Sequence, residues 1–289
     1  MDSYSCGYIG NDEAHDLIAA LNDALGDDEV SFHPGISYRH LCRIRGHEET
    51  LGAHCTPAHD IPGGVIEQYL PDGEGSDYLR HLMERSKRVL ADHPVNARRC
   101  SRGEPPATMI WLFWGSGRIP AMPAFREAYG LSAAMTSGVD LLLGLAKMAG
   151  MRVLSIPGVT GDIATDYAAQ MRGALNELET SDLVVVHVES PDEAGHDGSV
   201  EDKVEAIERI DAEMVALARD LGRERLRLLV APDHPTPIQV QTHVAEPVPF
   251  VMWGAGFEAN GASRFTEEQG AGTGLLVDPG HGLMSLFTA

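Results

Sequence analysis

The sequence has 289 residues, 43% hydrophobic and 22% charged, which is enough apolar material for a full core and for one large or two modest domains. Its 43 acidic and 22 basic residues give a formal net charge of −21, which opposes binding to nucleic acid or to an anionic membrane. No run approaches the roughly 18 apolar residues of a membrane helix, the first residues lack a secretion-signal pattern, and the four cysteines show no C-x-x-C spacing. We therefore expect a cytoplasmic protein with reduced thiols.

The first third of the chain predicts helices and a hairpin. Asn11 to Leu25 places leucine and isoleucine on one face behind a polar capping residue, which is typical of an amphipathic helix. Residues 30 to 41 are strand-like around a Pro-Gly turn, and Arg39 and His40 near the end of this stretch either contact an anion or line a polar face of the sheet. A second amphipathic helix is predicted from about residue 77 to residue 90.

A proline-bearing polar stretch around residue 94 separates this helix from a different pattern. We expect a domain boundary there, between residues 1–95 and residues 96–289. The densest basic cluster of the chain follows at Arg98, Arg99 and Arg102. These arginines either bind phosphate, whose oxygens a guanidinium matches bidentately, or form a solvated turn.

The remaining sequence alternates between strand-like and helical segments. Strands are predicted at residues 109–113, 152–156, 182–188, 226–230 and 248–253, and helices at residues 139–149, 166–178 and 204–221. Such alternation predicts an α/β fold, in which a mostly parallel sheet is flanked by helices.

Acidic and histidine residues follow two of these strands. Asp192 and His196 come after the strand at 182–188, Asp233 and His234 come after the strand at 226–230, and His243 lies close by in the chain. Ligands bind beyond the carboxyl ends of strands in open α/β sheets, so these side chains can converge. Three imidazoles and two carboxylates suit Zn²⁺ or Mn²⁺ better than Ca²⁺. The alternative is an ordinary turn with surface histidines.

Several sequence blocks along almost the whole chain carry a resemblance to a known family. They are Gly35-x-Ser37-Tyr38-Arg39-His40, Pro57-x-His59-Asp60, His93-Pro94-Val95-Asn96, Ile110-Trp111-x-x-Trp114-Gly115-x-Gly117, Pro157-Gly158-x-Thr160-Gly161, His187-Val188-Glu189-x-Pro191-Asp192-Glu193-Ala194-Gly195-His196, Asp233-His234-x-Thr236-Pro237 and Thr242-His243-x-x-Glu246-Pro247-Val248-Pro249-Phe250. On these blocks the chain resembles the alkaline phosphatase superfamily, and specifically the archaeal-type branch of cofactor-independent phosphoglycerate mutases.

The resemblance implies an alkaline-phosphatase-like metal-binding domain and a smaller α+β insert domain that covers the substrate. It implies two divalent ions, which can be Mn²⁺, Zn²⁺, Co²⁺ or Mg²⁺. One ion is implied on Asp192, His196 and His243. The other is implied on Asp233 and His234, together with an aspartate and a nucleophilic serine from an N-terminal segment.

The implied reaction interconverts 3- and 2-phosphoglycerate in glycolysis and gluconeogenesis, without added bisphosphoglycerate. The substrate is then a small phosphorylated three-carbon acid, and the implied substrate-binding residues are Arg39, His59, Asp60, Asn96 and Arg99.

The family pattern begins with a strand, its metal-binding aspartate and the serine, and Met1 of this chain corresponds to a later position. We therefore expect a chain that lacks this segment, is weakly active, and can self-associate through an uncovered sheet edge. Two other functions stay open: another phosphoryl-transfer activity of the superfamily, such as a phosphatase or a homoserine-kinase-like enzyme, and a non-catalytic metal-binding role.

Overall fold

Two structural units, Met1–Pro120 and Ala121–Ala289, make up the chain in the computed structural model, which describes residues 1–61, 63–117 and 121–289. The division lies after residue 120, whereas the sequence predicts it after residue 95. Within the described ranges, no helix is long and apolar enough to cross a membrane.

The first unit is an α+β arrangement built around its first helix. Its longer elements are α1 (Asn11–Leu25), β1 (Val30–His33), β2 (Leu41–Ile44), β3 (Ala53–His54), β4 (Asp72–Gly73), α2 (Ser76–Ala91) and α3 (Pro94–Ser101). β1 pairs antiparallel with β2, and β3 pairs antiparallel with β4. The predicted bounds of α1 are confirmed, and its buried face contributes Leu17, Ile18, Leu21 and Leu25 to a core shared with Val30 and Phe32 of β1.

The chain beyond residue 95 stays with this unit because its side chains complete the same core. The expected linker is instead the start of α3, where proline occupies the first turn and Val95 is buried. Residues 109–113, predicted as a strand, pair with no strand among the residues that the structure describes; Ile110 and Leu112 pack against the core of the first unit. An apolar run of this length fits a core-covering extended segment as well as a strand.

The second unit contains the parallel sheet that the sequence predicts. Its elements are α4 (Phe125–Tyr129), β5 (Ala133–Thr136), α5 (Asp140–Met148), β6 (Arg152–Val153), α6 (Tyr167–Glu177), β7 (Leu183–Val186), α7 (Ser190–His196), α8 (Val200–Arg209), a π-helical turn (Ile210–Val215), α9 (Ala216–Asp220), β8 (Leu228–Val230), β9 (Val251–Trp253), α10 (Glu267–Gly272) and α11 (Leu283–Thr288). The sheet order is β6-β5-β7, and both pairings are parallel. The predicted α/β class is confirmed.

One face of this sheet is covered by α6 and by the helical stretch from α8 to α9. Tyr167, Met171 and Ala174 of α6 are buried with Met214 and Ala218 against apolar side chains of β7 and β8. The prediction of a mostly parallel sheet is wrong for β8 and β9, because these strands pair antiparallel with each other in a separate two-stranded sheet. Hydrophobic periodicity locates a strand but does not report its direction relative to its neighbours.

Candidate metal centre

A short helix after β7 presents the first two candidate ligands. α7 starts at Ser190 with Pro191 in its first turn, a position where the missing amide proton of proline costs nothing. Asp192 and His196 are four residues apart and therefore lie on the same face of α7. The distance from Asp192 Oδ2 to His196 Nε2 is 3.2 Å.

The loop after β8 brings His243 to this face. His243 Nε2 lies 3.0 Å from His196 Nε2 and 3.4 Å from Asp192 Oδ1. Gln241 holds His196 in place: its carbonyl oxygen lies 3.0 Å from Nδ1 of His196, and its side-chain amide donates to the carbonyl of His196. Because a carbonyl can only accept, Nδ1 of His196 carries the hydrogen and Nε2 directs a lone pair toward the cluster.

These three side chains fit a divalent ion. Nitrogen and oxygen donors bound to a tetrahedral ion at roughly 2.0–2.2 Å lie roughly 3.3–3.6 Å apart. The two imidazole nitrogens lie 3.0 Å apart, and the carboxylate of Asp192 approaches His196 through Oδ2 at 3.2 Å and His243 through Oδ1 at 3.4 Å, so each neighbouring pair of donors is close to that value. A set of three protein ligands leaves a fourth position open for water or substrate.

His234 joins the cluster in a different way. One donor atom each from Asp192, His234 and His243 lie within 4.8 Å of one another. However, the rings of His234 and His243 stack, with centroids 3.8 Å apart and planes tilted by 33°. Stacked rings direct their in-plane lone pairs side by side. The rings of His196 and His243 are 4.9 Å apart and tilted by 57°, and their Nε2 atoms face each other at 3.0 Å.

Asp233 lies at the edge of this cluster. Its Oδ2 is 3.4 Å from His234 Nε2, and its side chain is 74% exposed. Asp233 thus contacts His234, which itself lies 3.9 Å from Oδ1 of Asp192, and the assignment of this pair to a separate ion stays a prediction.

Two further residues support the centre, and the sequence did not identify either as functional. Thr236 is 4% exposed and donates its hydroxyl to Oδ1 of Asp192. Lys203 of α8 donates to the carbonyl of Thr236 at 2.7 Å, and burial lowers the pKa of this lysine while Asp192 opposes the shift. Gly195 is required where α7 meets this loop, because a Cβ there would lie 2.6 Å from the carbonyl oxygen of Thr236. Thr236 belongs to the Asp233-His234-x-Thr236-Pro237 block, whereas no sequence signal marks Lys203.

Three of the expected substrate-binding residues lie at the surface of the first unit. The guanidinium of exposed Arg39 sits 4.7 Å from the centroid of the Tyr38 ring. His59 contacts Asp60 at 3.6 Å, and the His59 ring packs edge-on against Tyr4. An exposed guanidinium on an aromatic face keeps its donors available for an anion.

Asn96 and Arg99 are instead part of the interior of the first unit. The amide of Asn96 bonds the carbonyl of Leu90 and both backbone groups of Ala107. Arg99 is 3% exposed, and its three nitrogens donate to the carbonyls of Pro105 and Cys6 and to the carboxylate of Glu13, which lies at 2.7 Å. The expectation of substrate contacts at these two positions therefore gives way to a structural role, because their donors are already engaged.

Comparison with known proteins places the chain among metal-dependent enzymes. Residues 17–280 match the family model described as the Metalloenzyme superfamily. A curated 2,3-bisphosphoglycerate-independent phosphoglycerate mutase of Methanothrix thermoacetophila is 42% identical over 292 aligned positions, which cover 100% of this chain and 73% of the relative. The enzyme of the same name from Methanosarcina barkeri is 44% identical, with 96% of this chain and 70% of the relative covered.

Two solved structures share the fold. A protein from Pyrococcus horikoshii aligns with a TM-score of 0.73 at 24% identity, covering 92% of this chain and 65% of that protein. The cofactor-independent phosphoglycerate mutase from Thermoplasma acidophilum aligns with a TM-score of 0.56 at 22% identity, covering 94% of this chain and 68% of that protein. The family resemblance carried by the sequence blocks is thus confirmed, and the chain belongs to the Metalloenzyme superfamily and, within it, to the family of 2,3-bisphosphoglycerate-independent phosphoglycerate mutases.

Proposed function

We propose that this chain provides the metal centre of a bisphosphoglycerate-independent phosphoglycerate mutase, an isomerase that moves a phosphoryl group between the 3- and 2-hydroxyls of glycerate. The observation that carries the proposal is the cluster of Asp192, His196 and His243, in which neighbouring donor atoms lie 3.0 to 3.4 Å apart and the carboxylate meets the two imidazoles through its two oxygens, in a chain 42% identical to curated mutases. Because this reaction belongs to glycolysis and gluconeogenesis, the proposal includes a cytoplasmic location.

Asp192, His196 and His243 would hold the first ion, and Asp233 with His234 would contribute to a second. When bound, such ions neutralise the oxygens of a transferring phosphoryl group and polarise the attacking hydroxyl. Mn²⁺, Zn²⁺, Co²⁺ and Mg²⁺ are the candidates, and the mixed imidazole and carboxylate set suits Zn²⁺ or Mn²⁺ better than Ca²⁺. The role of Thr236 and Gln241 is to keep a carboxylate oxygen and an imidazole nitrogen aimed at one position.

The substrate is a small phosphorylated three-carbon acid, which carries a carboxylate and a phosphate. In a chain of net charge −21, such an anion needs a local cation. We assign this task to Arg39, whose guanidinium is exposed and rests on Tyr38, with His59 and Asp60 as neighbouring polar groups. A guanidinium can hold either anionic group of the substrate by two parallel hydrogen bonds.

The test uses Mn²⁺ as both ligand and probe. The chain is loaded with Mn²⁺, unbound ion is removed, and the ³¹P resonance of 3-phosphoglycerate is recorded with the loaded protein. Paramagnetic broadening is expected for the parent chain. It should disappear in His243→Ala, which removes one ligand, and persist in His33→Ala, a matched control on β1 outside the centre.

The other functions give different results. Formation of 2-phosphoglycerate without added bisphosphoglycerate supports the mutase, whereas net phosphate release indicates a phosphatase and dependence on ATP indicates a kinase-like activity. Retention of Mn²⁺ without any broadening of the phosphate resonance would refute the proposal in favour of a non-catalytic metal-binding role.

A further inference from the structure

A serine, a histidine and a glutamate form a hydrogen-bonded relay at the carboxyl edge of the parallel sheet. Ser137 directly follows β5, and His187 directly follows β7. The Oγ atom of Ser137 lies 2.9 Å from Nδ1 of His187, and Nε2 of His187 lies 3.2 Å from a carboxylate oxygen of Glu189. None of the three is a proposed metal ligand.

The proton positions in this relay follow from the acceptors. The carboxylate of Glu189 can only accept, so Nε2 of His187 carries the hydrogen and Nδ1 of the neutral ring is an acceptor. The Oγ atom of Ser137 accepts from the amide of Val139 at 2.9 Å, which leaves its own hydrogen for His187. This is the arrangement of a nucleophile, a general base and an orienting carboxylate.

The backbone holds the relay in place. The amide of His187 donates to the carbonyl of Thr136 at 3.0 Å, and the carbonyl of His187 accepts from the buried amide of Gln170 at 2.9 Å. Ser137 itself lies between the strand β5 and the helix α5, at the carboxyl end of the strand. Among the described residues, no acceptor contacts the amide of Gly138, and a Cβ on this glycine would lie 2.2 Å from the carbonyl of Thr160.

We infer that Ser137 is a nucleophile activated by His187 and Glu189, and that it accepts the acyl group of small, neutral carboxylic esters. In the part of the chain that the structure describes, no lysine or arginine contacts any of the three side chains. With a carboxylate present and no cation to balance a second negative charge, the site favours an uncharged substrate. Ser137 is 7% exposed, which restricts the acyl group to a small one.

The reaction balances as an ester hydrolysis. Oγ of Ser137 bonds to the carbonyl carbon while its proton moves to Nδ1 of His187, and Glu189 stabilises the imidazolium. The bond to the leaving alcohol then breaks, and the alcohol takes the proton from His187. Water attacks the acyl-serine by the same route, so that one ester and one water give one acid and one alcohol.

The experiment detects a covalent adduct of the nucleophile in addition to measuring turnover. The folded chain is treated with a fluorophosphonate probe and the adduct is mapped by tandem mass spectrometry, while p-nitrophenyl acetate hydrolysis is measured in parallel. We expect one adduct, on Ser137, and loss of ester hydrolysis on labelling. Both should persist in EDTA, because a metal-bound hydroxide would also cleave the ester but would neither survive chelation nor form the adduct.

Variants separate nucleophile activation from simple capping of α5. Ser137→Ala should abolish labelling, His187→Gln should slow it by about 10²- to 10⁴-fold, and Glu189→Gln should slow it by more than about 10-fold through loss of the correct tautomer. Ser132→Ala is the matched control, since the Ser132 hydroxyl contacts Asp182 rather than an imidazole.

Circular dichroism and thermal melting establish that each variant is folded. No adduct in the parent, an adduct at another residue, or equal labelling rates in the parent and in folded His187→Gln would overturn the inference and leave Ser137 as a helix cap.

Discussion

Replacing Thr236 by Val tests whether a buried hydroxyl sets the metal affinity of this chain. Thr236 donates to Oδ1 of Asp192, the same oxygen that lies 3.4 Å from Nε2 of His243. Valine has nearly the same shape, so Thr236→Val removes the hydrogen bond and leaves the packing intact. The carboxylate then loses the partner that aims it at the two histidines.

Two effects of this hydroxyl oppose each other. Donation withdraws electron density from the carboxylate of Asp192, which weakens it as a ligand, and it also holds the carboxylate in one orientation. We expect the effect on orientation to dominate. Water reaches the partly exposed Asp192 side chain and can replace the hydrogen bond from Thr236, but it does not hold the carboxylate in one orientation. Outer partners of metal ligands typically contribute 10- to 100-fold in affinity, or about 1.4 to 2.7 kcal/mol. A hydrogen bond to a charged group contributes a similar amount, roughly 1.5 to 3 kcal/mol.

The assay is a titration of Zn²⁺ or Mn²⁺ against a chromophoric chelator, which gives the Kd of the parent and the variant at one pH. We expect the Kd of Thr236→Val to rise by about 10- to 100-fold. Thr180→Val is the matched control, since the Thr180 hydroxyl contacts the carboxylate of Glu177 in the same unit but away from the candidate ligands. Equal Kd values for the parent and Thr236→Val, or an equal rise in Thr180→Val, would refute the reasoning.

Three further predictions concern stability of the first unit, each measured by urea unfolding. Burial lowers the pKa of His40 to about 4, whereas the histidine of the unfolded chain takes up a proton below about pH 6.5. The contribution of His40 to the free energy of unfolding is therefore complete above about pH 6.5 and is lost as the pH falls from about 6.5 to about 4. We expect a loss of about 1–2 kcal/mol, after a discount for the partial exposure of the ring. His40→Gln should remove this part of the pH dependence, and an unchanged profile would contradict it. Arg99→Leu should cost about 2 kcal/mol because the carbonyls of Cys6 and Pro105 lose their donor while Arg102 still pairs with Glu13, and a loss below about 1 kcal/mol would contradict a structural role. Gly75 and Gly103 both have φ near +75°, but a Cβ on Gly75 would lie 2.4 Å from neighbouring backbone, whereas one on Gly103 would meet open space. Gly103→Ala should therefore lower the free energy of unfolding by about 1–2 kcal/mol, and Gly75→Ala should lower it by at least about 1 kcal/mol more. Equal losses in the two variants would show that the close contact at Gly75 is relieved.

Local pattern predicted the elements whose stability is local. The bounds of α1 were predicted residue for residue from its apolar stripe, but the expected polar capping residue is wrong, because the N-cap is Gly10 and no side chain caps the helix. The same reasoning failed at α3, where a proline that was read as a linker is the first turn of a helix. It also failed at β8 and β9, since the direction of a strand depends on its partner rather than on its own composition.

The metal centre was predictable only in part. Asp192 and His196 share one face of a helix turn, so their spacing suggests the pair; His243 was a candidate from its place after the next strand, and the resemblance grouped it with them. The roles of Thr236 and Lys203 depend on the path of a loop, and the position of these residues in the sequence does not predict that path. Buried Arg99 illustrates the opposite error, because a basic cluster gives no sign of which arginine points inward.

The Ser137 relay follows from a register that no local pattern reports. Parallel pairing sets Ala133 opposite Leu183 and Thr136 opposite Val186, and continuing this ladder by one residue puts Ser137 beside His187. A slip of one residue would bring Gly138 to that position, which has no side chain, and would turn every side chain of the strand to the other face. The burial of β5, whose last three residues are inaccessible, opposes such a slip. The packing of this strand therefore determines whether a hydroxyl and an imidazole meet, and a nucleophile in this chain depends on the core beneath it as much as on the three side chains themselves.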